Sequence, residues 1–159
     1  MRGFISYAHN DYDMCAEFRK HLKALERAFD LTLWMDERID PGFYWNDSIE
    51  QAVSQSQVFV LLATPDFIAS DYIYKHELPA IRRRHQSGAL VLPVVLKRCD
   101  WRMIVGPLQA APVSDGKLRP IEDWGRHSDG FDSAREQIGR AIGSYFGVTA
   151  RAIDWKAPP

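Results

Sequence analysis

Apolar residues follow two kinds of pattern along this chain, short continuous runs and helical stripes. The continuous runs occupy residues 4–7, 31–35, 58–63 and 90–96. Each run has the length of a strand, and the run at 58–63 shows no alternation between apolar and polar positions. Strands that are apolar throughout are typical of parallel sheets covered by helices on both faces. The pattern therefore predicts four strands, with residues 58–63 at the centre.

The clearest helical stripe lies between residues 13 and 29. Its apolar members are Cys15, Phe18, Leu22, Leu25 and Phe29. Their spacing by three and four is that of one face of an α-helix. Asn10 or Asp11, which follow the first strand, are predicted to cap this helix.

Three further helices are predicted around residues 45–53, 70–85 and 128–145. Ser70 or Asp71 is expected to cap the middle one, after a loop at 64–69. Pro79 lies inside that helix and cannot donate a backbone hydrogen bond, so a kink is expected just beyond Glu77.

Strands that alternate with helices predict an α/β domain, and we expect a flavodoxin-like three-layer sandwich. The predicted sheet is parallel and five-stranded, in the order 2-1-3-4-5, with a short fifth strand at residues 118–121. In this order a crevice opens at the carboxyl ends of the first and third strands, where ligands bind. Residues 6–10 and 64–77 are therefore predicted to line the crevice, which places Glu77 at its mouth.

Composition narrows the functional classes. The 159 residues are 46% hydrophobic, which suits one globular domain, and a formal net charge of -1 disfavours a nucleic-acid partner. The two cysteines lie far apart in sequence, so they indicate neither a disulfide framework nor a zinc site. With no signal peptide and no membrane-spanning run in the sequence, we expect a cytoplasmic protein without membrane contact.

Several common site motifs are missing from the sequence. It contains neither the glycine-rich dinucleotide fingerprint nor a phosphate-binding P-loop. The start of a zinc-protease motif at His76 and Glu77 is broken by Ala80, so no metal site is predicted. A phospho-acceptor receiver would need an aspartate at the end of the third strand, where Leu62, Ala63 and Thr64 stand.

Four segments together resemble the Toll/interleukin-1 receptor (TIR) domain, especially its bacterial members. They are residues 4–7, residues 36–42 with Trp45 following, residues 70–78, and residues 92–94 before Asp100 and Trp101. The resemblance covers about residues 3–145 in order and spacing. It implies a TIR domain at residues 1–147 and a tail or linker at 148–159.

The resemblance implies one of two functions. Many TIR domains cleave NAD+ between nicotinamide and ribose, giving nicotinamide and ADP-ribose or a cyclic ADP-ribose isomer. They use NAD+ as substrate without a cofactor, and their essential glutamate matches Glu77. Other TIR domains only bind one another, as signalling scaffolds or as mimics of host signalling. An enzyme acting on another nucleotide is a third, minor hypothesis.

The resemblance also implies roles for residues around Glu77. The matching substrate-binding positions are Tyr7, Ala8, His9, Trp34, Asp36, Ser70, Tyr72 and Ile73. Simpler roles stay open for four of them: a surface turn for His9, strand packing for Trp34, loop solvation for Asp36 and helix capping for Ser70. Ile73 stands where cleaving relatives often carry a tryptophan, so stacking on the substrate is expected to differ here.

An interaction loop is implied between the second strand and the second helix. A plain surface loop is the alternative for this segment; the predicted assembly residues are Ile39, Asp40, Pro41, Gly42 and Trp45. Through such a loop one domain packs head-to-tail onto the next, a heterologous contact that can propagate. The leading hypothesis is thus an NAD+-cleaving effector of bacterial antiviral defence. It would be activated by self-association with other TIR domains, under a fused or separate sensor.

Overall fold

A computed structural model describes residues 1–36 and 45–157 of the chain. The strands are β1 (Arg2–Ser6), β2 (Thr32–Met35), β3 (Val58–Ala63), β4 (Leu90–Val95), β5 (Val113–Ser114) and β6 (Lys117–Leu118). The α-helices are α1 (Tyr12–Phe29), α2 (Trp45–Gln55), α3 (Pro65–Ala69), α4 (Leu78–Gln86), α5 (Arg102–Val105) and α6 (His127–Phe146). A π-helical turn (Ile73–Glu77) leads directly into α4, and 3₁₀ turns occupy His9–Asp11 and Ile121–Asp123.

The main sheet has four parallel strands in the order β2-β1-β3-β4. All six residues of β3 are buried, which agrees with the central position predicted from its continuous apolarity. The α/β class and the 2-1-3-4 part of the predicted strand order are confirmed. This order brings the carboxyl ends of β1 and β3 side by side.

Helices cover both faces of the sheet and form two apolar cores. On one face, Phe18 of α1 and Ile138 of α6 pack with Val58, Val60 and Leu62 of the central strand. The other core contains Ile49 of α2, Ile81 of α4, and Phe59 and Leu61 from the intervening positions of β3. Each large apolar side chain buried in this way contributes about 1.5–3 kcal/mol to folding. The apolar run of β3 thus stabilises both layers.

The fifth strand predicted at residues 118–121 is not found in the main sheet of the described chain. Leu118 instead pairs antiparallel with Val113 in the two-stranded β5-β6 hairpin. Beside β4 there is only an isolated parallel bridge between Val94 and Ala111. The amide of Val113 donates to the side chain of Gln137 at 2.9 Å rather than to the sheet. Ile121 begins a 3₁₀ turn, so the chain leaves the extended conformation there.

The segment after β3 also differs from prediction. Residues 64–69, expected to form a loop, contain the short helix α3, whose first helical residue is Pro65. Proline is favoured at this position because its missing N–H would be unpaired in any case. The Thr64 side chain caps the helix by accepting a hydrogen bond from the Phe67 amide at 2.9 Å.

The C-terminal helix α6 ends at Phe146, and Gly147 adopts the left-handed conformation that closes it. Residues 148–157 form no helix or strand, and Trp155 is 90% exposed. The division into a domain and a tail near residue 147 stays a prediction. Within the described residues, no helix combines the length and apolarity needed to cross a membrane.

Candidate functional site

A crevice of about 350 Å³ opens at the carboxyl ends of β1 and β3. It is lined by Tyr7, Ala8, His9, Asn10, Asp66, Ala69, Ser70, Tyr72, Ile73 and Glu77. One wall is the segment that follows β1, and the other comprises α3 and the π-helical turn. These are the two segments predicted to meet from the strand order alone.

Glu77 is the buried acid of this crevice, with only 7% of its surface exposed. Ser6, the last residue of β1, donates a hydrogen bond from Oγ to Oε1 of Glu77 at 3.0 Å. Burial raises the pKa of Glu77 from its ordinary value near 4.5 to about 7; the Ser6 hydrogen bond opposes this rise and the charge of Asp36 adds to it. Glu77 is therefore a carboxyl group that exchanges its proton near neutral pH.

Replacing Ser6 by alanine is expected to raise the pKa of Glu77 further. The Ser6 hydroxyl stabilises the ionised carboxylate, and alanine removes that hydrogen bond without adding volume. A carbon-13 NMR titration of the Glu77 carboxyl group measures the shift directly. Ser144→Ala, at an exposed position on α6, is the control and should leave the titration unchanged. An unchanged or lowered pKa in Ser6→Ala would contradict this assignment.

The local sequence explains how Glu77 is held. Ser70 accepts a hydrogen bond at Oγ from the Ile73 amide at 3.3 Å, so the expected capping role is present. Leu78 then bonds back five residues to the Ile73 carbonyl, which makes the turn π-helical. A proline ring clashes with the carbonyl four residues earlier in a regular α-helix, and widening the turn ahead of Pro79 relieves that clash. The predicted irregularity therefore takes the form of a π turn that ends at Glu77.

The outer edge of the crevice is held together by Tyr7, His9 and Asp36. Tyr7 donates its hydroxyl to the Asp36 carbonyl at 2.6 Å, and the His9 ring nitrogen Nε2 lies 3.2 Å from Oδ2 of Asp36. His9 is exposed, whereas only 12% of the Asp36 side chain is. Asp36 thus fixes two residues of the crevice wall without itself lining the cavity.

Trp34 and Ile73 lie in packed surroundings. The Trp34 ring stacks on Phe4 with centroids 5.4 Å apart and an interplanar angle of 19°. This is the strand packing left open by the sequence, and Trp34 is not among the residues that line the crevice. Ile73 is 3% exposed and joins the same apolar core. A substrate-contacting role for either residue stays a prediction.

Tyr72 joins the crevice to a second cavity. Its ring lies 5.0 Å from that of His76, and burial together with the nearby Glu77 raises the pKa of its phenol to about 12. Tyr72 and Glu77 also line a groove of about 460 Å³ between α2 and α4. Glu77 therefore lies where the two cavities meet, with a neutral phenol beside it.

A buried polar network behind the crevice was not anticipated from the sequence. Asp11, expected as a helix cap, makes no side-chain capping bond and is 3% exposed. It instead accepts hydrogen bonds from Thr64 Oγ1 at 2.5 Å and from Lys97 Nζ at 2.7 Å. The sequence does carry a signal for this network. Asp11, Thr64 and Lys97 each follow a strand, and parallel strands end at the same edge of a sheet. The network ties together the loops that follow β1, β3 and β4.

The predicted assembly loop falls largely outside the described residues. Ile39, Asp40, Pro41 and Gly42 are not described, and Trp45 is described only as the first residue of α2. Their role in assembly remains a prediction.

Comparison with known proteins identifies the family. A family model for the TIR domain matches residues 4–136. An uncharacterized protein of Sinorhizobium fredii, y4lF, is 35% identical over 158 residues, which are 98% of this chain and 46% of that protein. The chain thus spans about half the length of this relative. The TIR domain of the Toll-related receptor TRR-2 from Hydra magnipapillata aligns with a TM-score of 0.48 at 20% identity, over 68% of this chain and 80% of that one. From the family match over most of its length, the chain belongs to the TIR domain family.

Proposed function

We propose that the chain is an NAD+ glycohydrolase with Glu77 as its catalytic residue. The reaction consumes NAD+ and water and gives nicotinamide, ADP-ribose and a proton. In the cyclising variant of the reaction, a group of the same nucleotide replaces water. The proposal rests on one observation, a buried carboxyl group at the junction of two cavities at the ligand-binding edge of the sheet.

The reaction suits a single carboxylate. The bond between ribose and the positively charged nicotinamide breaks with its electron pair, so nicotinamide leaves as a neutral molecule. The ribose then carries oxocarbenium-like positive charge, which a nearby anion stabilises. Because the leaving group needs no proton, a second acid of the kind used by ordinary glycosidases is not required. Glu77 supplies that anion and can accept hydrogen bonds from the ribose hydroxyls.

Burial of Glu77 has opposing effects on this chemistry. A carboxylate shielded from water interacts more strongly with developing charge than an exposed one does. The same burial raises its pKa to about 7, so only about half of the Glu77 side chains are ionised at pH 7 before substrate binds. The positive charge of bound nicotinamide favours ionisation, which couples substrate binding to activation of the acid.

The crevice has the charge that a cationic group requires. Its described lining includes the acids Asp66 and Glu77 and contains no lysine or arginine. Tyr7 and Tyr72 provide aromatic surface in the same lining. These residues support binding of the nicotinamide and its ribose in the crevice, with Ser70 available to the ribose hydroxyls.

Self-association completes the proposal. TIR domains bind one another, and residues 37–44, which include most of the predicted assembly residues, directly precede α2 in the sequence. A neighbouring chain that packs there head-to-tail would shield the site from water. We propose that this contact activates the enzyme inside the cytoplasm, under a fused or separate sensor, as the effector of an antiviral defence system.

Nicotinamide release at increasing protein concentration tests the proposal. The purified chain is incubated with NAD+ at low and high protein concentration, and with a crowding agent, and nicotinamide is quantified by chromatography. Specific activity per chain is expected to rise at least about tenfold over the range in which light scattering detects assembly. Absence of nicotinamide release under every condition, including full assembly, would refute the proposed enzymatic activity.

A non-catalytic TIR interaction module is the second candidate function. It is favoured by Ile73, which is buried and offers no aromatic ring to a substrate at the position where cleaving relatives often carry tryptophan. On that hypothesis the chain assembles but releases no nicotinamide. The same titration therefore separates the two functions.

A further inference from the structure

The groove beside the crevice carries a concentration of positive charge. It lies between α2 and α4, has a volume of about 460 Å³, and includes Lys75, Arg83 and Arg84 in its lining. The crevice on the other side of Glu77 has no lysine or arginine in its described lining. The two cavities share Tyr72 and Glu77 and differ in the sign of the charge around them.

Within the part of the chain that the structure describes, no carboxylate forms an ion pair with the cations of the groove. Arg84 donates from Nε at 3.2 Å and from Nη2 at 2.8 Å to the carbonyl of Ser56, a neutral group that orients its guanidinium. Lys75 and Arg83 are exposed and form no ion pair with any residue that the structure describes. Besides Glu77, the described groove lining contains one acid, Glu50.

The substrate of the proposed reaction carries the matching charges. In NAD+ the nicotinamide is positive, whereas the diphosphate on the other side of its ribose carries two negative charges. When the ribose next to nicotinamide lies at Glu77, the positive nicotinamide can enter the acidic crevice. The negative diphosphate can then lie in the basic groove. Arginine binds phosphate oxygens through paired N–H donors, and lysine binds them as a compact charge.

We propose that the α2–α4 groove binds the diphosphate of the substrate through Lys75 and Arg83, with Arg84 as a fixed positive charge on its wall. The inference rests on the proposed function for the position of the ribose. On this proposal the groove makes the protein select a dinucleotide over a nucleoside, and the groove is a surface separate from the crevice that binds nicotinamide.

The test compares two substrates with the same scissile bond. NAD+ contains the diphosphate, and nicotinamide riboside lacks any phosphate. The double variant Lys75→Gln with Arg83→Gln is expected to raise KM for NAD+ at least about tenfold, because two charge-assisted contacts are lost. Its kcat for NAD+ and its KM for nicotinamide riboside should stay within about twofold of the parent values.

Arg82→Gln is the matched control. Arg82 lies on the same helix and is exposed like Arg83, but it lines the cavity on the α5 side instead of the groove. This variant loses a neighbouring positive charge and should leave both substrates unaffected. An equal rise of KM in Arg82→Gln and in the double variant would overturn the inference. An equal rise of KM for NAD+ and for nicotinamide riboside in the double variant would also overturn it. The same holds if the double variant loses activity only because it no longer assembles.

Binding of ADP separates failure of this inference from failure of the proposed function. ADP contains a diphosphate but lacks the nicotinamide–ribose bond, and its binding is followed by amide chemical shifts of the parent chain. Shifts clustered at residues 46–54 and 75–84, lost in the double variant and retained in Arg82→Gln, support the groove even if no NAD+ is cleaved. Absence of shifts at these residues at millimolar ADP refutes diphosphate binding in the groove even if NAD+ is cleaved.

Discussion

Glu77→Gln is expected to lower the rate of nicotinamide release from NAD+ by about a thousandfold or more. Glutamine has nearly the same shape and can still accept the Ser6 hydrogen bond, so the crevice keeps its geometry. What it removes is the negative charge that stabilises the ribose cation as nicotinamide departs. Single-turnover assays on the assembled protein measure the chemical step without product release.

The control for this substitution is Glu136→Gln, which changes an exposed acid of α6 and should leave the rate unchanged. Glu77→Asp keeps the charge but withdraws it by one methylene, so it should retain a small part of the activity. Light scattering on each variant shows whether assembly is intact. Equal rates for the parent chain and an assembled Glu77→Gln variant would remove Glu77 from the mechanism.

Glu77→Gln is also expected to stabilise the folded protein above pH 7. In the unfolded chain Glu77 loses its proton near its ordinary pKa of 4.5, whereas burial keeps it protonated in the folded chain up to a pKa of about 7. The stability contributed by the neutral side chain is fully present below pH 4.5 and is lost as pH rises through 7. The pKa difference corresponds to roughly 3 kcal/mol.

Urea denaturation of the parent and the variant between pH 4 and pH 8 measures this difference. The stability of Glu77→Gln relative to the parent should increase by roughly 3 kcal/mol from the acidic to the alkaline end. Glu136→Gln should show no comparable pH-dependent gain, since that side chain is exposed. A constant difference across the whole range would contradict the raised pKa. If Glu77→Gln is more stable than the parent chain at alkaline pH, the parent keeps the Glu77 carboxylate at a cost to its folding stability.

The sheet order could be predicted because its signals are local. The unbroken apolar run of β3 indicates burial on both faces, and the stripe through Phe18 and Leu22 identifies α1. The predicted fifth strand failed for a reason the local pattern does not contain. Leu118 pairs with Val113 in the β5-β6 hairpin instead of joining the main sheet. Val113 in turn bonds to Gln137, 24 residues away, and the position of Gln137 depends on where α6 packs.

The candidate site was predictable to the level of the crevice and its acid. Strand order alone places Glu77 next to the loop after β1, and the TIR resemblance implies the reaction that we propose for it. The sequence predicts Ser6 in the crevice lining but does not identify it as the residue that holds Glu77, because its hydroxyl reaches that carboxyl across 71 positions of sequence. The groove cations were harder still. Arg83 and Arg84 line the groove whereas Arg82 lines the cavity on the α5 side, and this separation depends on how the helix is placed.

The network around Asp11 limits how the crevice can respond to assembly. Asp11 directly follows the residues of one wall, and Thr64 begins the segment that forms the other, so moving the walls apart would break their hydrogen bond and disturb the Lys97 ion pair. Because the Asp11 carboxylate is buried but 38% of the Lys97 side chain is exposed, the Thr64 hydrogen bond, worth about 1.5–3 kcal/mol, is the stronger of these two links. The two walls of the crevice are therefore linked to each other within the single chain. If self-association activates the chain as proposed, it then acts by adding groups to the crevice or by excluding water from it.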